Sequence, residues 1–214
     1  MERGAGYGLG SALRTGASEK FSMSTDWENR YLTGDMPWDK GAPHPALVDF
    51  LKTQPLRGKI LVPGCGLGYD VRAIARPDNE VTGVDLAPSA VARADAFPKS
   101  AGETYRLADL FALPPELRGA FDWVWEHTCF CAIDPERRLD YVNAVAGALQ
   151  PGGRLLAVFY LNPDHDDGPP FGVSTAELDT LFSPHFELLR EWEPVRTYPG
   201  REHRERLRVL RREK

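Results

Sequence analysis

Apolar residues fall into short runs separated by amphipathic stretches. Lys59 to Val62, Glu80 to Val84, Thr104 to Leu107, Ala120 to Trp125 and Arg154 to Tyr160 read as five strands; Lys59 to Val62 is a short apolar run of the kind buried in a parallel sheet, and Arg154 to Tyr160 is strongly apolar. Between them lie helical patterns at Pro43 to Leu51, Asp70 to Ala75 and Pro88 to Phe97. A longer helix is capped by Asp134, carries Pro135 at its first position, and runs to Leu149, with Gln150-Pro151-Gly152-Gly153 as its stop. Ser174 caps a helix to Leu181, and Phe186 to Glu193 and Leu207 to Arg211 close the pattern as two antiparallel strands. This alternation predicts an α/β fold: a doubly wound, mostly parallel, seven-stranded sheet.

Before the first strand, Asp26 caps a short helix that places Trp27 and Tyr31 on one face, Gly34 ends it, and Met36-Pro37-Trp38 is extended. So many aromatics outside the sheet suit either a lid over a ligand or a helix packed on the flank. Residues 1–22 show no helical or strand period and read as a disordered leader, which leaves 23–214 as a single domain.

The first strand runs into Gly64-Cys65-Gly66-Leu67-Gly68, a tight turn of alternating glycines, and the second strand ends at Asp85, 21 residues after Gly64. Glycines allow positive φ and close approach of a ligand to the backbone. An acid at this distance is placed to bind a ribose diol. The turn is Gly-x-Gly-x-Gly rather than the longer form that accommodates a dinucleotide pyrophosphate, and it suits S-adenosylmethionine, which has no phosphate. A tight strand–helix turn in an unrelated α/β protein is the alternative. Asp109, just past the third strand, is placed to accept from an adenine amino group with Leu110 or Phe111 against the ring, or else is a turn residue. Glu126 and His127 leave the fourth strand at the edge where ligands bind. His127 is a candidate general base or a packed histidine, and Arg137 and Arg138 lie nearby by topology.

Composition narrows the classes. A length of 214 residues fits one domain with a sizeable core, and a net charge of −5 does not suggest nucleic-acid binding. No apolar run approaches a membrane span, and three cysteines without framework spacing point to a reducing, cytoplasmic setting. Cys129 and Cys131 read as structural thiols, and no metal site is expected. The acids and histidine of 164–167 are adjacent rather than spaced to converge on an ion, and read as solvated loop charge. The basic tail from Arg201 reads as a solvated edge strand.

Taken together, the motifs resemble those of class I S-adenosylmethionine-dependent methyltransferases with a Rossmann-like sheet. More narrowly they resemble the thiopurine methyltransferase family and its halide/thiol methyltransferase branch. The resemblance is carried by Trp27-x3-Tyr31-x6-Trp38-Asp39-x-Gly41, Val62-Pro63-Gly64-Cys65-Gly66, Gly83-Val84-Asp85, Asp109-x-Phe111, Cys131-Ala132-Ile133-Asp134-Pro135-Glu136-x-Arg138 and Gly168-Pro169-Pro170-Phe171. It implies that Trp27, Tyr31 and Trp38 cover the cofactor. It also implies that Gly64 and Gly66 approach its methionine end, Asp85 its ribose, Asp109 and Leu110 its adenine, and Glu126 its sulfonium portion. It implies further that Arg137 stands near the acceptor. Residues Glu126 to Phe130 depart from the family's pattern. The expected activity is methylation of a small soft nucleophile, a thiol above all, by a monomer. Halide methylation and a non-catalytic cofactor sensor are the alternatives. Trp27, Trp38, Phe130 and Phe171 are the aromatic faces expected around the sulfonium.

Overall fold

The computed structural model describes residues 25–163 and 168–213. The expected leader at 1–22 and the Asp/His cluster at 164–167 lie outside the described residues. Within them are seven strands: β1 (Gly58–Pro63), β2 (Asn79–Asp85), β3 (Thr104–Leu107), β4 (Phe121–His127), β5 (Leu149–Tyr160), β6 (Phe186–Trp192) and β7 (Glu205–Arg212). They form one sheet in the order β3-β2-β1-β4-β5-β7-β6. β1 to β5 are parallel, and β7 runs antiparallel to both β5 and β6. The helices are α1 (Trp27–Thr33), α2 (Pro45–Thr53), α3 (Tyr69–Ile74), α4 (Pro88–Asp95), α5 (Arg138–Ala148) and α6 (Thr175–Phe182).

The central strands alternate between two cores, as a pleat with period two requires. Leu61, Val124, Leu155 and Ala157 face the layer of α5 and α6, where Tyr141, Val145, Leu178 and Phe182 meet them. Ile60, Val62, Trp123, Trp125, Leu156 and Val158 face the layer of α2 and α3, against Leu47, Phe50, Val71 and Ile74. Covering on both faces explains the nearly unbroken apolar runs.

Three of the boundaries that differ from expectation bear on the site or on the sheet's register. β4 runs two residues further, because Glu126 and His127 still pair with Ala157 and Val158 of β5. Asp134 caps a 3-10 turn, Pro135–Arg137, before α5 begins at Arg138. The expected stop at Gln150 to Gly153 lies inside β5, where Gly152 at φ 78° and a register shift opposite Phe121 and Trp123 absorb the irregularity.

The basic tail is corrected more strongly. β7 is no edge strand; it sits between β5 and β6. Its Arg208 is only 2% exposed and pairs with Asp179 of α6 at 2.9 Å and with Glu191 of β6. The charge pattern of β7 resembles a solvated edge because Glu205, Arg208, Arg211 and Arg212 each meet a specific partner on a neighbouring segment.

Candidate functional site

Parallel strands bring their carboxyl ends to one rim, and β7, entering in the opposite sense, begins at that same rim. Gly64 follows β1, Asp85 ends β2, Asp109 follows β3, Tyr160 ends β5, and Arg201 precedes β7. All five line one cavity of about 450 Å³, within the range of small-molecule sites. Asp85 and Asp109 share this rim, and the main-chain bond from Ala108 N–H to the Asp85 carbonyl (3.0 Å) keeps the two segments adjacent.

Asp85 is nearly buried. Its two carboxylate oxygens accept from Gly66 N–H (2.9 Å) and Ala87 N–H (3.0 Å), which fixes the group at the cavity wall. Burial pushes its pKa above the ordinary aspartate value, against the opposing effect of these bonds. One oxygen of Asp109 accepts from Phe111 N–H at 2.8 Å, so the turn role and a position on the cavity wall coincide in one residue. Leu110 lines the same wall.

The glycine turn is tight for a visible reason. Gly64 has φ 56°, and a Cβ there would meet the Cys129 side chain at 3.2 Å. Gly66 has φ 52° and lies beneath the Tyr31 hydroxyl, 3.1 Å from where a Cβ would be. Gly64 therefore lines the cavity, whereas Gly66 reaches it only through its bond to Asp85.

Trp27, Tyr31 and Trp38 form one aromatic wall. Trp38 meets Trp27 edge-on at 5.4 Å and Tyr31 at 5.7 Å, and its indole N–H donates to the Tyr31 hydroxyl at 3.4 Å. Behind them the wall packs on Leu67, Ala87 and Ala90. The guanidinium of Arg30 lies over the Trp38 ring at 4.5 Å and is tied to Asp35 at 3.0 Å. A cation thus already engages one of the indoles.

The remaining candidates fall outside the cavity wall. Glu126 is 1% exposed; one oxygen accepts from Phe130 N–H at 2.8 Å and the other from the Tyr141 hydroxyl. Burial raises its pKa to about 7 even though both bonds oppose the shift. It anchors the loop that carries Thr128, Cys129 and Cys131 to the cavity. His127 turns the other way, its Nδ1 2.8 Å from an Asp70 oxygen that also accepts from the Trp125 indole. Burial would push the Asp70 carboxyl up, but His127 beside it and bonds from His127, Trp125 and the His44 backbone hold it below its ordinary value. The His127 ring packs edge-on against His44 at 4.6 Å, and its Nε2 is buried without a hydrogen-bond partner among the described residues. Arg137 lies behind the wall, over the Phe111 ring at 4.1 Å and near Asp140 at 3.4 Å. Its neighbour Arg138 is the buried one, bonding Glu177 and the Gly172 carbonyl.

Two of the expected aromatic faces are placed elsewhere. Phe130 is a core residue, 1% exposed among Tyr141, Phe159 and Phe182. Phe171 is drawn back by its N–H bond to the Cys131 carbonyl (2.7 Å), and Pro169 and Pro170 face the cavity instead. Burial pushes the Cys131 thiol up to about 12 and the Cys129 thiol well above its ordinary value, so these cavity-lining sulfurs stay protonated.

Arg201 was not among the sequence candidates. Its guanidinium lies over the Tyr160 ring at 4.7 Å and is held by Glu205 at 3.1 Å. Glu205 is itself fully buried, with His44 Nε2 at 3.1 Å. The glycine in Pro199-Gly200-Arg201 signals a turn, but nothing local in the sequence brings that turn to the cavity.

Comparison with known proteins agrees with this geometry. The thiopurine S-methyltransferase (TPMT) family model matches residues 22–205. The chain is similar to probable thiol methyltransferase 2 of Arabidopsis thaliana, 34% identical over 168 residues, covering 76% of this chain and 74% of that one. It is equally similar to thiocyanate methyltransferase 1 of Arabidopsis thaliana, 34% identical over 188 residues, covering 85% and 82%. A solved structure from work on the conversion of a disulfide bond into a thioacetal group during echinomycin biosynthesis superposes with a TM-score of 0.69. It is 26% identical and covers 83% of this chain and 85% of its own. With the family model matching nearly the whole described chain, and with two carboxylates and a glycine turn gathered at one cavity, this chain belongs to the thiopurine S-methyltransferase family and is an S-adenosylmethionine-dependent methyltransferase.

Proposed function

We propose that the chain methylates a small soft sulfur nucleophile that reaches the site as an anion, a thiolate or a thiocyanate-like ion. The observation that carries this is the character of the cavity wall. Among the described residues it holds Arg201 and neither histidine nor glutamate. Its two aspartates, Asp85 and Asp109, already accept main-chain N–H bonds and are assigned to the donor, so no carboxylate or imidazole is left over to take a proton from the acceptor. The names of the thiol and thiocyanate methyltransferases it resembles support the same class of acceptor.

In this proposal Asp85 holds the ribose, Asp109 and Leu110 the adenine, and Gly64 leaves room for the methionine end. Trp27, Tyr31 and Trp38 cover them. Bound S-adenosylmethionine supplies a methyl group already activated on a sulfonium, so orientation and exclusion of water are the chain's main contributions. Arg201 takes the acceptor role that the sequence suggested for Arg137, and Tyr160, Pro169 and Pro170 complete a narrow apolar end around it. Glu126 and His127 support the wall from behind. Three free cysteines suit a reducing cytoplasm, and a monomer is part of the proposal, to be checked by light scattering.

Arg201→Ala is expected to raise KM for an anionic thiol about tenfold, as loss of a hydrogen-bonded charge contact implies, with S-adenosylmethionine affinity nearly unchanged. Steady-state kinetics on a thiol, thiocyanate and iodide, with product followed by gas chromatography, check it. Equal loss on both substrates would count against Arg201 as the acceptor's partner. Preference for iodide at equal concentration would favour the halide alternative. Tight cofactor binding without any methylated product would favour a sensor.

A further inference from the structure

α4 begins with an incomplete N-terminus. Its N-cap position is Ala87, which has no side chain able to cap, and Pro88 has no N–H. The first free donor is Ser89 N–H, and its partner comes from another helix. The Glu28 carboxylate on α1 accepts from Ser89 N–H at 2.9 Å and from the Ser89 hydroxyl at 2.5 Å. A carboxylate there also meets the positive end of the helix dipole.

This contact ties together two parts of the donor end. Trp27, next to Glu28, and Tyr31, one turn on, belong to the aromatic wall. The segment that Glu28 grips starts at Asp85, whose own oxygen holds Ala87 N–H. α1 has seven residues, too few to persist as a helix by itself, so its position depends on what it docks against. Its apolar docking is confined to one small cluster, in which Tyr31 is the only buried residue from α1: it meets Leu67, Ala87 and Ala90, with Trp27, Met36, Trp38 and Tyr69 partly buried around them.

We propose that Glu28 is a positioning residue for the methyl donor. By capping α4 through Ser89, it holds α1 and its aromatic face closed over the donor half of the cavity. This rests on the reading that Trp27 and Tyr31 cover the cofactor. Glu28 is not part of the cavity wall; it acts through the helix it fastens.

The test is isothermal titration of the full chain with S-adenosylmethionine and S-adenosylhomocysteine, alongside initial rates in both substrates. Glu28→Ala is expected to weaken binding of both about tenfold, the effect of losing a charged cap. KM for S-adenosylmethionine should rise in proportion, while the acceptor's KM holds and the thermal midpoint falls by no more than about 5 °C, the cost of one cap. Glu28→Gln, which keeps an acceptor oxygen, should recover most of the loss. Ser89→Ala should lose about threefold, and the double variant Glu28→Ala/Ser89→Ala no more than Glu28→Ala alone, since both act through one contact. Trp27→Ala tests the underlying reading separately. If Trp27→Ala loses affinity and Glu28→Ala keeps it, the latch is overturned and the lid stands. If Trp27→Ala keeps affinity, the lid reading fails and the latch with it. A thermal midpoint falling by many degrees with both KM values rising together would make Glu28 a residue of general stability and overturn its positioning role.

Discussion

Asp85→Asn is expected to weaken S-adenosylmethionine binding by about a hundredfold or more. Two ribose hydroxyls donating to one ionised carboxylate contribute roughly 1.5–3 kcal/mol each. The amide keeps one acceptor oxygen for a backbone donor, Gly66 or Ala87, but sets an N–H₂ against the other donor or against the ribose. The fold should survive, since only one of two turn bonds is lost, so the thermal midpoint is the control. Calorimetric titration gives the affinity directly. The wild-type pH dependence carries the same signature. Burial raises the Asp85 pKa, so as pH falls the loss of donor affinity should begin above the range of an exposed aspartate. An Asp85→Asn protein that binds within threefold of its parent would remove the ribose role.

The second large effect is on stability. Glu126 is buried, and its pKa is raised from an ordinary 4.5 to about 7. The folded chain therefore holds this proton more tightly than the unfolded chain does. Its contribution is fully present below about pH 4.5 and is lost as pH rises through 7. Over that window the loss amounts to about 3 kcal/mol, a large part of an ordinary domain's stability. Glu126→Gln keeps an acceptor for Phe130 N–H or the Tyr141 hydroxyl and has no proton to release. Urea unfolding of both proteins at pH 5, 6, 7 and 8 should show the parent losing stability relative to the variant as pH rises. Parallel curves would show that Glu126 stays ionised or protonated throughout. The same proton bears on activity, because the loop that Glu126 anchors carries Thr128, Cys129 and Cys131 to the cavity.

The rim proposed to hold the donor was legible as a cluster because its determinants are local. A short apolar run, a glycine turn and an acid at the next strand's end are one strand–helix–strand unit, and its period and spacing survive in the linear order of residues 58–88. Asp109 and the Trp27–Trp38 wall are similarly short range. The acceptor half was not legible. Tyr160 and Arg201 meet only because β7 inserts beside β5, a pairing between segments far apart in sequence. Arg137 and Arg138 illustrate the same limit: they are consecutive, and a 3-10 turn ending at Arg137 sends one outward onto Phe111 and buries the other against Glu177. Glu126 and His127 alternate across the pleat, and neither lines the cavity, because the strand runs two residues beyond the end of its apolar run. The tail misled for a related reason: paired charges on an inner strand have the composition of a solvated edge.

The insertion of β7 between β5 and β6 has a consequence for synthesis. β6 is made before β7 but has no sheet neighbour until β7 arrives, and the rim of β5 stays open meanwhile. A ribosome that has released residues only as far as β6 leaves the apolar β5 with one edge of unsatisfied main-chain donors and acceptors, a template for intermolecular pairing. The glycine turn with Asp85 and Asp109 can take shape before β7 emerges. The turn at Arg201 and β7, arriving together, then close the sheet between β5 and β6 and bring Arg201 to the cavity in one event.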